Sequence, residues 1–171
     1  MGRKLSAAII GQGRSGRDIH GKYLLTEDAK KLYNVVAVVE QNEARRNRAK
    51  EEFGCPVFED YRQLFDLNNI DVVINSTFSY LHFPITMDLL RHKLNVIVEK
   101  PFSKYAMDCE QMIKAAKENG VFLTVFQQSR FAPYYERVKE IISGGKLGTI
   151  HEIAISFSGF SRRWDWQCSQ R

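Results

Sequence analysis

The sequence predicts an α/β protein: a doubly wound parallel sheet, followed by the start of a second, α+β domain. Short continuous apolar runs recur along most of the chain, such as Ala7-Ala8-Ile9-Ile10 and Val35-Val36-Ala37-Val38-Val39. Segments of helical length separate them, the pattern of parallel strands covered on both faces. Beyond Gly144-Gly145 the pattern changes. In Ile150–Ser158 the residues Ile153, Ile155 and Phe157 fall on one face and Glu152, Ser156 and Ser158 on the other. Period two marks a half-covered strand.

The elements follow in order. Ala7–Ile10 is a buried strand that runs into a glycine-rich turn, and a helix is expected from about Ser15 to Leu25. Val35–Val39 is the second strand, ending at Glu40. Good helix formers run from Glu43 to Phe53, and Gly54 is placed to end them. Asp60 and Gln63 have capping-box spacing before Leu64 and Phe65. Asp71–Asn75 is a third strand, with a helix beginning near His82 and Pro84. Val96–Val98 is the next strand, and a helix from about Lys104 to Glu118 should stop at Asn119-Gly120. Val121–Phe126 is a further strand, and Pro133 opens a helix to about Ile142. The Ile150–Ser158 strand has an apolar face that a lone strand cannot satisfy. It is therefore expected to pair with another chain or stay poorly ordered, in an amino-terminal piece of a longer protein.

Composition narrows the class. The chain has 171 residues, 44% apolar and 26% charged, as in ordinary soluble domains. Its net charge of +5 is interleaved, as in Lys50-Glu51-Glu52, which reads as solvated helix faces and not a nucleic-acid groove. Cys55, Cys109 and Cys168 are odd in number and far apart, which supports neither a disulfide framework nor a zinc site. The histidines form no cluster, so no metal is expected. No apolar run approaches membrane-spanning length, and a reducing cytosol is the expected compartment.

Gly11-Gln12-Gly13-Arg14-Ser15-Gly16 is G-x-G-x-x-G, placed directly after a strand and opening a helix. The first glycine permits the tight turn, the second lets a pyrophosphate approach the backbone, and the third allows close helix–strand packing. The helix amino terminus offers free N–H groups to the phosphates. Glu40, at the end of the second strand, suits the two adenosine ribose hydroxyls. Its separation from the turn exceeds the usual ~20 residues, which a longer helix and loop would absorb. A carboxylate there repels a 2′-phosphate, so NAD is expected, with NADP possible. Arg45 and Arg46 stand against this if either folds back onto a phosphate; otherwise they are solvated helix surface.

Glu99-Lys100-Pro101 ends the Val96–Val98 strand with an acid and an amine. Pro101 lacks an N–H and disfavours helical geometry at Lys100, so the strand stops there. Ligands of open parallel sheets bind at such strand ends, and a lysine there can exchange protons with substrate. The plain alternative is a solvated Glu–Lys pair in a loop.

These residues together resemble the glucose–fructose oxidoreductase/inositol dehydrogenase (Gfo/Idh/MocA) family. The matching features are the glycine turn, Glu40, Ser76-Thr77-Phe78-Ser79 followed by His82, and above all Glu99-Lys100-Pro101. Arg130-Phe131-Ala132-Pro133 and Gly144-Gly145-Lys146-Leu147-Gly148 add to them. The resemblance implies a Rossmann domain over residues 1–126 and the start of a substrate and oligomerisation domain over 127–171. It also implies hydride transfer between a nicotinamide cofactor and a sugar, polyol or cyclitol carbon.

Lys100 would then move the proton of the reacting oxygen, across a Lys100–Pro101 peptide that is often cis in relatives. Glu99 would hold the nicotinamide ribose or orient Lys100. Ser76, Thr77, Phe78 and Ser79 would meet the cofactor, although Ser79 stands where relatives often carry Asn. His82 either lies near the cofactor or packs beside Phe83. Gln128 would reach the nicotinamide. Arg130, Trp164 and Trp166 are the substrate-side candidates, Arg130 being equally suited to an ion pair at the domain junction. Relatives carry a later glycine-rich segment with an acid and a histidine that completes proton transfer, and this sequence stops before it. The same resemblance admits a non-catalytic NAD(P)-binding sensor. The expected partners are a small sugar-like substrate and other copies of the chain, with no nucleic acid and no membrane.

Overall fold

The computed structural model describes residues 2–156 and 158–159. Its strands are β1 (Leu5–Ile10), β2 (Tyr33–Val39), β3 (Val57–Phe58), β4 (Val72–Asn75), β5 (Val96–Glu99) and β6 (Leu123–Phe126). Among the described residues they form one parallel sheet in the order β3-β2-β1-β4-β5-β6. The helices are α1 (Arg14–Gly21, continued by Lys22–Leu24), α2 (Glu27–Lys30), α3 (Glu43–Phe53), α4 (His82–Arg91), α5 (Ala106–Asn119) and α6 (Pro133–Ser143). This is the doubly wound sheet that the continuous apolar runs predict.

The pleat explains why those runs are continuous. Alternate residues point to opposite faces, and each face has its own core. Ala8, Ile10, Val39 and Val73 pack with Leu64, Leu89, Leu90 and Met112 on one side. Ile9, Val38 and Ile74 pack with Leu24, Ala49 and Cys55 on the other. Strand order reverses between β1 and β4, so the crevice for a ligand opens at their carboxyl ends, beside Ile10 and Asn75.

Helix signals read from sequence hold closely. α3 ends at Gly54 and α5 at Gly120, both left-handed (φ 62° and 66°). Asp60 and Gln63 form both arms of the capping box on the 3₁₀ helix Tyr61–Asp66. Two short elements were not anticipated. α2 is capped by Thr26, whose side chain accepts from the Ala29 N–H, and β3 is too short to show a period.

One expectation needs correcting. The described part of Ile150–Ser158 forms no strand, and Ile153 and Ile155 stand exposed. Alternation marks a face, but a strand exists only with a partner for its N–H and C=O groups. None of the described residues supplies one.

The chain divides into two compact units, Met1–Gln127 and Gln128–Arg171. The first holds the whole sheet, and the second carries the 3₁₀ helix Gln128–Phe131 and α6. Among the described residues no helix is long and apolar enough to cross a membrane.

Candidate active site

The glycine turn is built as the motif requires. Gly11 has φ +92°, and a Cβ there would stand 2.6 Å from the Ser76 carbonyl oxygen. A Cβ on Gly16 would lie 1.9 Å from the Gly11 carbonyl oxygen. These two glycines let α1 start against β1 and the loop after β4. Gly13 differs, because its Cβ would meet nothing within 4 Å. The space in front of it is open, and Gly13 caps α1 without any side-chain bond. The uncapped helix N–H groups therefore face that space. Arg14 is exposed beside the opening and Ser15 is half-buried.

Two buried polar atoms on this crevice, Gln12 Oε1 and Ser76 Oγ, have no hydrogen-bond partner. Such orphans are rare unless a ligand or water meets them. An open cradle, an uncapped helix and two orphaned polar atoms fit a dinucleotide.

Glu40 sits just past β2 with its carboxylate already oriented. Oε2 accepts from the Gln12 N–H (2.7 Å) and Oε1 from the Asn42 N–H (2.9 Å). Arg46 donates to the Glu40 and Gln41 carbonyls at 2.7 and 2.9 Å. Its guanidinium is thus engaged by the loop backbone. Arg45 is exposed.

The loop after β4 is stapled from beneath. Asn75 donates to Thr86 Oγ1 (3.1 Å) and accepts from the Thr77 hydroxyl (2.7 Å). Phe78 and Tyr80 are exposed, with their rings stacked 5.8 Å apart, and Ser79 opens the turn Ser79–Leu81. His82 is 1% exposed, its Nδ1 2.7 Å from the Pro101 carbonyl and its Nε2 3.1 Å from that of Thr77. The ring bridges the two loops.

At the mouth of β5 the Lys100–Pro101 peptide is cis and Lys100 is exposed. Glu99, by contrast, is 3% exposed. Its Oε1 accepts from His20 Nε2 (2.9 Å) and its Oε2 from the Lys100 N–H (3.2 Å). Burial pushes the Glu99 carboxyl up, but His20 and Lys100 outweigh it and hold the group below its ordinary value. The carboxylate is thus held between the His20 ring and the Lys100 backbone. His20 had no sequence signal, because its partner lies 79 positions away.

Gln128 and Arg130 lie on the helix Gln128–Phe131 of the second unit. Trp164 and Trp166 lie outside the described residues. No group of three metal-ligating side chains occurs among the described residues.

The sheet order and the open glycine turn define a dinucleotide-binding domain of the doubly wound type. The chain belongs to the Gfo/Idh/MocA oxidoreductase family with the NAD-binding Rossmann fold, whose model matches residues 5–127. It is 29% identical over 159 residues to scyllo-inositol 2-dehydrogenase (NADP(+)) IolW of Bacillus subtilis, covering 91% of this chain and 42% of that protein. Myo-inositol 2-dehydrogenase from Lactobacillus plantarum superposes with a TM-score of 0.78 at 27% identity, over 86% of this chain and 43% of the other. The WlbA dehydrogenase from Bordetella pertussis, solved with NADH and UDP-GlcNAcA, superposes with a TM-score of 0.78 at 25% identity, over 85% and 44%. The chain thus spans under half the length of these relatives.

Proposed function

We propose that this chain forms the cofactor-binding part of a dehydrogenase acting on a sugar, polyol or cyclitol carbon, with Lys100 as its proton-transfer group. The observation that carries the reading is the exposed Lys100, tethered through its backbone N–H to a buried carboxylate, in the same sheet as the open glycine turn. The inositol and sugar-nucleotide dehydrogenases among the relatives support the substrate class.

When bound, the nicotinamide takes or gives the hydride. The chain's own residues do the rest. Gly13 and the first N–H groups of α1 hold the pyrophosphate, and Arg14 and Ser15 flank it. Glu40 accepts from the adenosine ribose hydroxyls, while Gln12, Ser76 and Thr77 line the crevice. As an alcohol is oxidised, its O–H proton passes to the Lys100 amine; in reduction the ammonium returns it. The region after Gln127, with Gln128, Arg130, Trp164 and Trp166, contributes to the substrate side and to assembly with other copies. A reducing cytosol suits such a protein.

In a protein of the relatives' length, Lys100→Ala lowers turnover by about 10²–10⁴-fold, the range for loss of a general acid/base, with little change in NADH affinity. Turnover within a few-fold of wild type would remove Lys100 from the chemistry. Firm NADH binding with no turnover on any polyol would favour a sensor. NADH binds more tightly than NADPH, because Glu40 repels a 2′-phosphate. The reverse order in a fluorescence titration would mean that Arg45 or Arg46 outweighs Glu40.

A further inference from the structure

We propose that His20 is a positioning residue for Lys100, acting through Glu99 and tying the dinucleotide-binding helix to the reactive strand end. The inference rests on the reading of Lys100 as the proton-transfer group. His20 and Glu99 are 7% and 3% exposed. A buried carboxylate needs a partner for each oxygen or it protonates. His20 from α1 meets one oxygen at 2.9 Å, and the Lys100 N–H meets the other at 3.2 Å. The Phe126 ring at the end of β6 packs against the imidazole, edge on, with centroids 4.5 Å apart. It closes the pair off from water.

His20 lies in the part of α1 that is wound as a π-type helix, Arg14–Gly21, a form that collects at functional sites. The same helix begins at the glycine turn. One buried bond therefore links the element that meets the pyrophosphate with the residue preceding Lys100. The titratable groups that act on the Glu99 carboxylate are His20 and Lys100. The neighbouring strands end in uncharged Asn75 and Phe126.

Without the imidazole, burial is opposed by fewer attractions and Glu99 takes up a proton more readily. A protonated carboxyl is a weaker acceptor than a carboxylate, so the Lys100 N–H loses its anchor. The test follows the Lys100 amide resonance of the ¹⁵N-labelled chain from neutral pH into the acid range. In the wild-type chain the resonance should hold its position until Glu99 titrates. In His20→Phe it should be displaced already at neutral pH, and its acid titration should move up in pH. His20→Gln keeps an N–H of similar reach and should return the neutral-pH resonance to its wild-type position, which a purely space-filling role would not require.

A Lys100 resonance in His20→Phe that superimposes on wild type would overturn the proposal. If His20→Phe does not fold, Glu99→Gln carries the test. The acid titration of the Lys100 amide should then vanish, and its persistence would overturn the proposal equally. Failure of the functional reading looks different. Undiminished turnover of Lys100→Ala in a protein of the relatives' length would remove the purpose of the positioning, even with every amide result as expected.

Discussion

The three glycines of the turn do different work, and single substitutions separate them. Gly13 has open space where a side chain would grow. Gly13→Val should therefore fold with a thermal midpoint near wild type and lose NADH binding, read by fluorescence titration, because its methyls occupy the pyrophosphate's place. Retained binding would take the turn out of the site. Gly16→Ala puts a methyl 1.9 Å from the Gly11 carbonyl oxygen. It should cost about 1–3 kcal/mol, as overpacking of a close backbone contact does, measured by urea unfolding. Sequence spacing marks all three positions and the role of each, and the structure adds the distances: open space at Gly13 and close backbone at Gly11 and Gly16.

The loops at the carboxyl ends of the strands are held by capping and short polar networks. Asn42 caps α3 by accepting from the Arg45 N–H at 3.0 Å, while its own N–H holds Glu40. Asn42→Ala should lose about 1 kcal/mol of stability, the usual cost of an N-cap. NADH affinity should stay close to wild type, because the backbone N–H to Glu40 survives. A large loss of affinity would mean that the cap, and not the N–H, orients the carboxylate. Caps such as Asp60, Gly54 and Gly120 are readable because partner and signal lie within a few residues. The His82 staple across to Pro101 and the His20–Glu99 bond are not.

At the scale of the whole sheet, two side-chain contacts carry a pH dependence, one acid and one alkaline. Asp71 joins β1 to the start of β4 by accepting from Arg3 and from the Ser6 N–H. The Arg3 and Ser6 hydrogen bonds hold its pKa at about 2 against an ordinary 3.8. A depressed carboxylate pKa contributes stability that is complete above the unfolded value and lost as pH falls through the folded one. Urea midpoints should therefore fall between about pH 4 and pH 2, and Asp71→Asn should flatten that limb. Tyr61 donates to Asp88 Oδ2 at 2.6 Å, and burial followed by Asp88 raises its pKa to about 12 from 10. Its contribution is complete below pH 10 and lost as pH rises through 12. Tyr61→Phe should remove this alkaline dependence while keeping the ring's packing; an unchanged alkaline limb would assign it to another group.

The sequence by itself determined the parallel sheet, its two covered faces, the helix ends and the dinucleotide turn. Each of these is a local signal: an unbroken apolar run, a cap, a glycine spacing, a proline after a strand. Tertiary structure alone decided what depends on distant residues meeting. It buried Glu99 and left Lys100 exposed, although the two are adjacent. It engaged Arg46 with carbonyls, turned His82 inward between two loops and brought His20 to Glu99 from 79 positions away. The alternating Ile150–Ser158 segment shows the same division from the other side. Its pattern is local and legible, but a strand requires a partner, and pairing is a property of the fold.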